Sequence, residues 1–386
     1  MKFTISQENL VNALQTVIGV VPSKTTFPIL SNILLEAKSN KELFLTTTDL
    51  DVAITSKTKA EVSVTGSITV PAKQFFGIVR ELPDVPVEVA VEEQKVTLRY
   101  EKGEFKIVGI AKEEFPELPK VEKGLKIKVS SPLIQSAIRR TIFAVSTDTS
   151  RPALCGSFWR LITCPGGKGE EMEIVTTDGH RLGRVKIHFM VSKAEPLPKT
   201  EQKGQLIISA KGLNQLIRVI SETVEEMEIN FDERFVLFNL GETQIYSRLV
   251  EGPYPSYEEA IPKESSKRLL VNREALISAV RRVSVLSETF SHQIRLDLSS
   301  NLVQLSSSTP DVGEAKEVLS CDYAGDEMAV GYNATYLLDI LRNIESDEVL
   351  FSLNTSLSAG IITPSVQKEG EELLYLLMPI RLPEET

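Results

Sequence analysis

An acidic and a basic side chain stand two residues apart in the segment TTDGHRLG, as Asp178 and His180. These residue types suit general acid-base catalysis or metal ligation. A turn with a glycine at positive φ explains Asp178-Gly179 equally well. A catalytic histidine needs a nucleophile or a metal partner, and the other histidines, His188 and His292, stand in no recognisable motif. A hydrolase remains an alternative, but the chain lacks a phosphate loop, a GxSxG elbow, an HExxH pair and a dinucleotide fingerprint.

The cysteines do not indicate a disulfide or a metal site either. Cys155, Cys164 and Cys321 are an odd number at irregular spacing with no CxxC pair, so neither disulfides nor zinc are expected. We predict no catalytic residue, no metal and no cofactor. No run of about 20 apolar residues and no secretory leader pattern is present, so we expect a cytoplasmic protein with no membrane partner.

Positive charge is concentrated in six segments with helical patterning. The chain has a formal charge of −10, yet these segments carry +6, which leaves −16 elsewhere. The segments are 3–19, 71–82, 129–146, 209–221, 271–286 and 333–344. Lys and Arg are good helix formers, which is a simpler explanation, but Glu is equally good and is scarce there. We interpret the basic helix faces as directed at a polyanion, with non-specific phosphate contact because no aromatic side chains are interleaved for base stacking.

The six segments belong to a threefold internal repeat. A first amphipathic helix is predicted at 5–17, 129–141 and 271–283, and a second at 71–82, 209–220 and 333–344. Core positions superpose as Leu10, Ile134 and Leu276, then Leu14, Ile138 and Val280. Ser209 and Asn333 are candidate N-caps of the second helix.

Each second helix is followed by alternating apolar and polar residues, at 87–110, 225–250 and 347–364. This pattern predicts antiparallel strands with one solvated face, and proline-containing segments near 116–122 and 253–264 close the first two units. Two helices and several strands in about 120 to 140 residues indicate a small α+β domain. Three such domains without a closed architecture remain an alternative.

Four segments resemble those of the bacterial DNA polymerase III beta subunits, the sliding clamps. They are FPILSNILLEA (27–37), STDTSRPALCG (146–156), VTTDGHRLG (175–183) and YLLMPIRL (375–382). The resemblance covers the whole chain. It implies an α+β fold of three tandem clamp domains, with the helices on one face of antiparallel sheets. With the boundaries at the proline-containing segments, these domains are expected at 1–122, 126–263 and 264–386.

The resemblance further implies a head-to-tail homodimer that forms a six-domain ring around double-stranded DNA. The ring would tether the replicative polymerase as a non-catalytic processivity factor, independently of DNA sequence. Residues expected to face DNA are Lys24, Lys73, Arg80, Arg139, Arg140, Lys211, Arg218, Arg281 and Arg282. Interface positions carried over are Phe105 and Ile107 on one side and Val285 and Leu286 on the other, although each is also compatible with an ordinary core position.

The same resemblance implies an apolar pocket for short clamp-binding peptides. Its partners would be the DNA polymerase III alpha subunit, the clamp loader, other polymerases, and mismatch-repair or ligase proteins. The matching positions are Leu154, Thr177, Gly179, His180, Arg181, Leu182, Pro255, Leu357, Ala359, Leu376, Leu377, Met378, Pro379, Ile380, Arg381 and Leu382. Methionine among aliphatic side chains makes an adaptable surface, and Arg381 or His180 would meet a polar group on the peptide.

Two departures from the family pattern are Glu259, where some relatives carry a basic residue, and the extension Pro383-Glu384-Glu385-Thr386. Acidic groups there would disfavour acidic peptides, and the extension would cover part of the groove. A monomeric peptide-binding adaptor that never contacts DNA is a further alternative. It keeps the pocket but leaves the basic helices unexplained.

Overall fold

The computed structural model describes residues 1–119, 121, 124–163, 170–189, 204–221, 224–310 and 312–382. These residues form α-helices and antiparallel sheets in two compact units. Of the described residues, those in 1–135 and 211–249 form unit 1, and those in 136–189, 204–210 and 250–382 form unit 2. Residues 383–386, to which the extension was assigned, and Cys164 lie outside the described residues.

The six predicted helices are confirmed. They are α1 (Gln7–Val17), α2 (Ala72–Glu81), α3 (Ser131–Thr141), α4 (Ala210–Val219), α5 (Arg273–Ser284) and α6 (Ala334–Arg342). Three of them begin at a polar N-cap whose side-chain oxygen accepts a bond from the backbone N–H three residues later: Ser6, Asn272 and Asn333. The cap predicted at Asn333 is therefore confirmed.

The strands follow the predicted alternation. The first thirteen are β1 (Lys2–Ser6), β2 (Asn32–Lys38), β3 (Glu42–Thr48), β4 (Val52–Lys59), β5 (Glu61–Val64), β6 (Gly66–Pro71), β7 (Pro86–Glu92), β8 (Lys95–Tyr100), β9 (Gly103–Val108), β10 (Leu125–Ser130), β11 (Gly156–Thr163), β12 (Glu170–Thr177) and β13 (Arg181–Phe189). The others are β14 (Gln205–Ser209), β15 (Glu226–Phe231), β16 (Phe235–Asn239), β17 (Thr243–Arg248), β18 (Lys267–Asn272), β19 (Gln293–Ser299), β20 (Leu302–Thr309), β21 (Gly313–Ser320), β22 (Asp322–Ala324), β23 (Met328–Asn333), β24 (Glu348–Leu353), β25 (Gly360–Pro364) and β26 (Glu371–Leu377).

Each unit contains one long and one short sheet. Unit 1 has the orders β5-β1-β7-β8-β9 and β10-β15-β16-β17-β4-β3-β2-β6. Unit 2 has the orders β14-β11-β12-β13-β26-β25-β24-β18-β22 and β21-β20-β19-β23. The long sheets run across the predicted domain boundaries, because β4 pairs with β17 and β13 pairs with β26. The compact units therefore divide the middle repeat, while the boundaries at 122/126 and 263/264 stay predictions.

The core repeats as the spacing predicted. The six superposed positions, Leu10, Ile134, Leu276, Leu14, Ile138 and Val280, are fully buried. Truncating one such side chain to alanine typically costs about 2 to 5 kcal/mol. A hydroxyl bond also repeats: Thr47, Thr176 and Ser307 each donate to a carbonyl at the end of the preceding first helix, at Val17, Thr141 and Val283 respectively. These bonds align the three repeats residue by residue.

Candidate functional site

Arginine side chains lie in the last turns of α2 to α6, whereas Lys73 and Lys211 lie in the first turns of α2 and α4 and Lys24 lies outside the helices. Within the described residues, eight of the nine predicted DNA-facing side chains are exposed: Lys24, Lys73, Arg80, Arg139, Lys211, Arg218, Arg281 and Arg282. Three of the eight pair with an acid: Arg80 with Glu81, Lys211 with Asp49, and Arg282 with Glu317. The Arg282 guanidinium holds the pKa of Glu317 below its usual range.

Arg140 is the exception, and its assignment to a phosphate-facing surface is corrected. Its exposure is only 6%, and its guanidinium pairs with the carboxylate of Glu371 on β26. Successive helical residues point about 100° apart, so Arg139 faces solvent while Arg140 faces the sheet. The backbone oxygen of Arg140 also accepts a bond of 2.8 Å from the buried hydroxyl of Tyr375. Arg140 therefore fixes the end of α3 to β26 within unit 2.

Unit 2 also contains an apolar cluster that includes predicted pocket residues. Leu182, Ala359 and Leu376 share this cluster with five residues that the sequence did not indicate: Phe158, Val175, Ile207, Tyr257 and Leu374. Leu154 is buried in a 3₁₀ turn, Pro152–Cys155. Leu377 is buried but is not part of this cluster. It points to the opposite face of β26 from Leu376, because alternate strand residues point to opposite faces. We therefore remove Leu377 from the predicted lining.

The TTDGHRLG segment forms a turn rather than a catalytic pair. Gly179 has φ 92°, in the left-handed region that favours glycine. Asp178 Oδ1 accepts backbone bonds of 2.9 Å from both His180 and Arg181. The Thr177 hydroxyl donates to the Arg181 carbonyl at 2.6 Å. Asp178 is thus engaged in shaping the turn.

Arg181 is held firmly below this turn. Its guanidinium pairs with Asp178 at 3.1 Å and with Asp339 at 2.7 Å. It also donates to the Phe143 carbonyl at 2.9 Å and lies 4.4 Å from the ring centroid of Tyr336. Its side chain is largely buried, so it supports the site rather than reaching into it. The exposed ring of His180 stacks on Tyr336 and is free to contact a ligand.

The chain beyond β26 runs beside this turn. The Met378 N–H donates to the His180 carbonyl at 2.9 Å, and the Ile380 N–H donates to Gly331 at 2.8 Å. Pro379, Ile380 and Leu382 are half-buried. The exposed predicted residues of the site are Gly179, His180, Pro255, Leu357, Met378 and Arg381. A buried apolar floor with an exposed apolar rim suits the aliphatic or aromatic anchors of a peptide.

Aromatic side chains complete the floor. The rings of Phe158 and Tyr254 stack at 5.0 Å, and Tyr257 lies 6.0 Å from Phe158. The Tyr257 hydroxyl donates to buried Glu173 at 2.7 Å, and burial together with this bond raises the pKa of Tyr257. Arg160 compensates the Glu173 carboxylate. The aromatic spacing of PYPSY at 253–257 was the available signal, but the prolines led us to interpret it as a boundary.

The predicted interface positions lie on edge strand β9 and just after helix α5. Among the described strands, β9 and β21 each have a neighbour on one side only. Phe105 on β9 is 38% exposed, and Val285 just after α5 is 76% exposed. Ile107 and Leu286 are half-buried. All four positions therefore lie at the surface rather than in the centre of a core.

No group of three His, Cys, Asp or Glu side chains within the described ranges is arranged to hold a metal ion. No described helix is long and apolar enough to cross a membrane. Cys155 and Cys321 are free thiols, and burial raises the pKa of Cys321.

Comparison with known proteins covers nearly all of the chain. Three family models match in order: the N-terminal domain of the DNA polymerase III beta subunit at 1–119, its central domain at 128–256 and its C-terminal domain at 258–381. The beta sliding clamps of Chlamydia muridarum and Pseudomonas aeruginosa are each 32% identical, over 99% of this chain and 99% and 100% of theirs.

Solved structures agree. The DNA polymerase III subunit beta of Pseudomonas aeruginosa has a TM-score of 0.91 at 31% identity, and the sliding clamp of Bacillus subtilis has 0.90 at 29%; each covers 99% of this chain and 100% of its own. The chain therefore belongs to the DNA polymerase III beta subunit family and is a non-catalytic DNA sliding clamp of three tandem clamp domains.

Proposed function

We propose that two copies of this chain join head to tail into a six-domain ring that encircles double-stranded DNA and tethers DNA polymerase III. The carrying observation is the exposed pair of surfaces at Phe105 and Val285. In unit 2, the corresponding positions of the repeat are Tyr375 and Phe143, whose rings lie 5.6 Å apart. Phe105 of one copy would meet Val285 of the other in the same way, with Ile107 and Leu286 beside them.

The eight exposed cations would contact DNA phosphates around the ring. Lys and Arg that neutralise phosphates release counterions, so binding weakens as salt rises. The acidic remainder of the chain would repel DNA from the other surfaces. Because encirclement retains the DNA, individual contacts need not be strong, and the ring would slide without reading sequence.

The apolar cluster and its rim would bind short peptides from several partners in turn. Proposed partners are the DNA polymerase III alpha subunit, the clamp loader, other polymerases, and mismatch-repair or ligase proteins. Apolar anchors would contact Met378 and Leu357 on the rim and the aromatic floor beneath. His180 and Arg381 are exposed beside the rim and would bind the polar part of a peptide.

Encirclement is tested by retention on circular DNA. After loading, the protein is expected to remain on a nicked circle and to be lost when the circle is cut to a linear form, since a ring slides off free ends. Equal retention on both forms would rule out encirclement and favour the peptide-binding adaptor.

The peptide site is tested by Met378→Asp, because an apolar anchor bound at the rim would bury the new carboxylate without a partner. We expect at least a tenfold loss of affinity for a synthetic clamp-binding peptide. The matched control is Val366→Asp, at an equally apolar exposed position in the same unit. Equal affinity for both variants would place the site elsewhere.

A further inference from the structure

The register of the contact between copies follows from two strand junctions inside the chain. In unit 1, β4 pairs with β17 so that Ile54 lies opposite Ile245. In unit 2, β13 pairs with β26 so that Gly183 lies opposite Tyr375. Both junctions are antiparallel. They are the same junction of the repeat, occurring twice within one chain.

The repeat identifies the matching residue on β21. Thr47, Thr176 and Ser307, which make the same hydroxyl bond to a helix end, lie opposite Ile54, Gly183 and Ala315 in their hairpins. Ala315 is therefore the third member of the set that contains Ile54 and Gly183.

The repeat also identifies the matching residue on β9. Phe3, Ile127 and Leu269 each stand four residues before the first residue of α1, α3 and α5. Each position has a residue directly opposite it on the neighbouring strand. Moving from opposite residue to opposite residue through three strand pairs ends at Phe105, Ile245 and Tyr375, respectively. Phe105 is therefore the third member of the set that contains Ile245 and Tyr375.

Applying the internal register between copies places Phe105 opposite the partner's Ala315. Two pairs of opposite charge then face each other: Glu104 with Lys316, and Lys106 with Glu314. All four side chains are exposed. Glu104 and Lys106 lie on one face of β9, and Glu314 and Lys316 lie on one face of β21, since alternate residues share a face. At the strand ends, Val108, 71% exposed, would lie opposite Val312, 61% exposed.

Displaced registers are disfavoured by the same four charges. A slip of two residues in one direction places Glu104 opposite Glu314, and a slip in the other places Lys106 opposite Lys316. A slip of one residue turns Phe105 to the wrong face of the sheet. Like charges directly opposite each other destabilise a strand pair.

We propose that Glu104, Lys106, Glu314 and Lys316 form a charge pattern that fixes the register in which this chain pairs with a second copy of itself. The proposal rests on the homodimer proposed above. It assigns these residues a role in partner specificity. An edge strand that carries its charges in a different order would place like charges opposite these residues. Lys106 and Arg99 of the same chain bind the Glu104 carboxylate and hold its pKa well below its usual range, so the carboxylate is ionised.

Charge reversal tests the pattern. Glu104→Lys and Lys316→Glu each place like charges opposite at both contacts of a ring, and each is expected to raise the dimer dissociation constant at least tenfold at low salt. The double variant restores opposite charges and should recover most of the affinity. Mixing the two single variants should give a heterodimer tighter than either homodimer, because both of its contacts are then complementary.

Sedimentation velocity across a concentration series separates the outcomes. Glu61→Lys, on β5 at the opposite edge of the same sheet, is the matched control and should dimerise as the unmodified chain does. A monomeric unmodified chain at micromolar concentration would overturn the homodimer and the charge pattern together. A normal dimer in which the mixture is no tighter than the single variants would overturn the charge pattern alone.

Cysteine cross-linking reads the register directly, in a chain whose native cysteines are replaced by serine. Lys106→Cys with Glu314→Cys should form an intermolecular disulfide on oxidation, since opposite residues are close enough. Lys106→Cys with Lys316→Cys should not. The reverse result would overturn the proposed register while leaving the homodimer intact.

Discussion

The two internal strand junctions have the same backbone register but unlike side chains. Where β4 meets β17 in unit 1, the opposed residues are neutral, such as Ser56 with Thr243. Where β13 meets β26 in unit 2, some opposed residues are charged, such as Lys186 with Glu372. In both junctions the buried apolar residues, such as Ile54 opposite Ile245 and Val185 opposite Leu373, set the register, so the remaining side chains are free to differ. The same backbone register therefore accommodates different side chains in the two units.

The turns above the two junctions repeat this contrast. Asp49 Oδ1 accepts from the backbone of Asp51 and Val52, as Asp178 does from His180 and Arg181. In unit 1 the other carboxylate oxygen pairs with Lys211, a predicted DNA-facing residue. In unit 2 it binds Arg181 beneath the peptide site. One turn therefore lies at the proposed DNA surface and the other at the proposed peptide site.

The largest expected effect concerns Arg140, whose counterpart in unit 1 is Thr16. Arg140→Met leaves the buried Glu371 carboxylate unpaired and should lower the free energy of unfolding by about 3 to 5 kcal/mol. Urea denaturation followed by circular dichroism measures this loss. Adding Glu371→Leu should recover most of the stability, because an apolar pair can replace a buried ion pair.

Arg139→Met is the matched control for this prediction. It should leave stability within about 0.5 kcal/mol, because the side chain is exposed, and should weaken DNA association instead. If Arg140→Met weakened DNA association without affecting stability, the charge would belong to the DNA surface after all.

These adjacent arginines show what the sequence can and cannot predict. Helical spacing predicted all six helices and the buried positions Leu10, Ile134 and Leu276, because a periodic apolar face is a local property. A charge tally treats Arg139 and Arg140 alike, since the partner of Arg140 is 231 residues away. The signal that was available is that Arg140 lies three residues after buried Ala137.

The candidate peptide site was predicted through resemblance, and its floor was missed for a similar reason. Tyr254 and Phe158 are far apart in sequence, and their rings meet only in the folded chain. Asp178-Gly179 was the part that local chemistry could predict, because a turn of that kind requires a glycine at positive φ. Long-range register, by contrast, becomes visible only when the sheets are known.

An intermediate effect is expected from exchanging the residues at the tips of the two turns. Leu50 has φ 80° where its counterpart Gly179 has φ 92°. Gly179→Leu should cost about 1 to 2 kcal/mol of unfolding free energy, since a side chain is strained in the left-handed region. Leu50→Gly should change stability by less than about 1 kcal/mol, because the relieved strain is offset by greater freedom of the unfolded chain. If thermal unfolding showed the same loss of stability for Gly179→Leu and Leu50→Gly, the two turns would not be equivalent.

The smallest effect is expected at Asp49, whose carboxylate pairs with the exposed Lys211, whereas its counterpart Asp178 pairs with the largely buried Arg181. Asp49→Asn keeps the side-chain oxygen that accepts the two backbone bonds and removes the charge that holds Lys211. The released ammonium can neutralise a phosphate, so the plot of log affinity against log salt for duplex DNA should steepen by about one unit. Asp51→Asn removes the same charge from the same turn without releasing Lys211, and should leave the slope unchanged. Identical slopes for the two variants would mean that Lys211 does not reach DNA, and that the first turn supports only the fold.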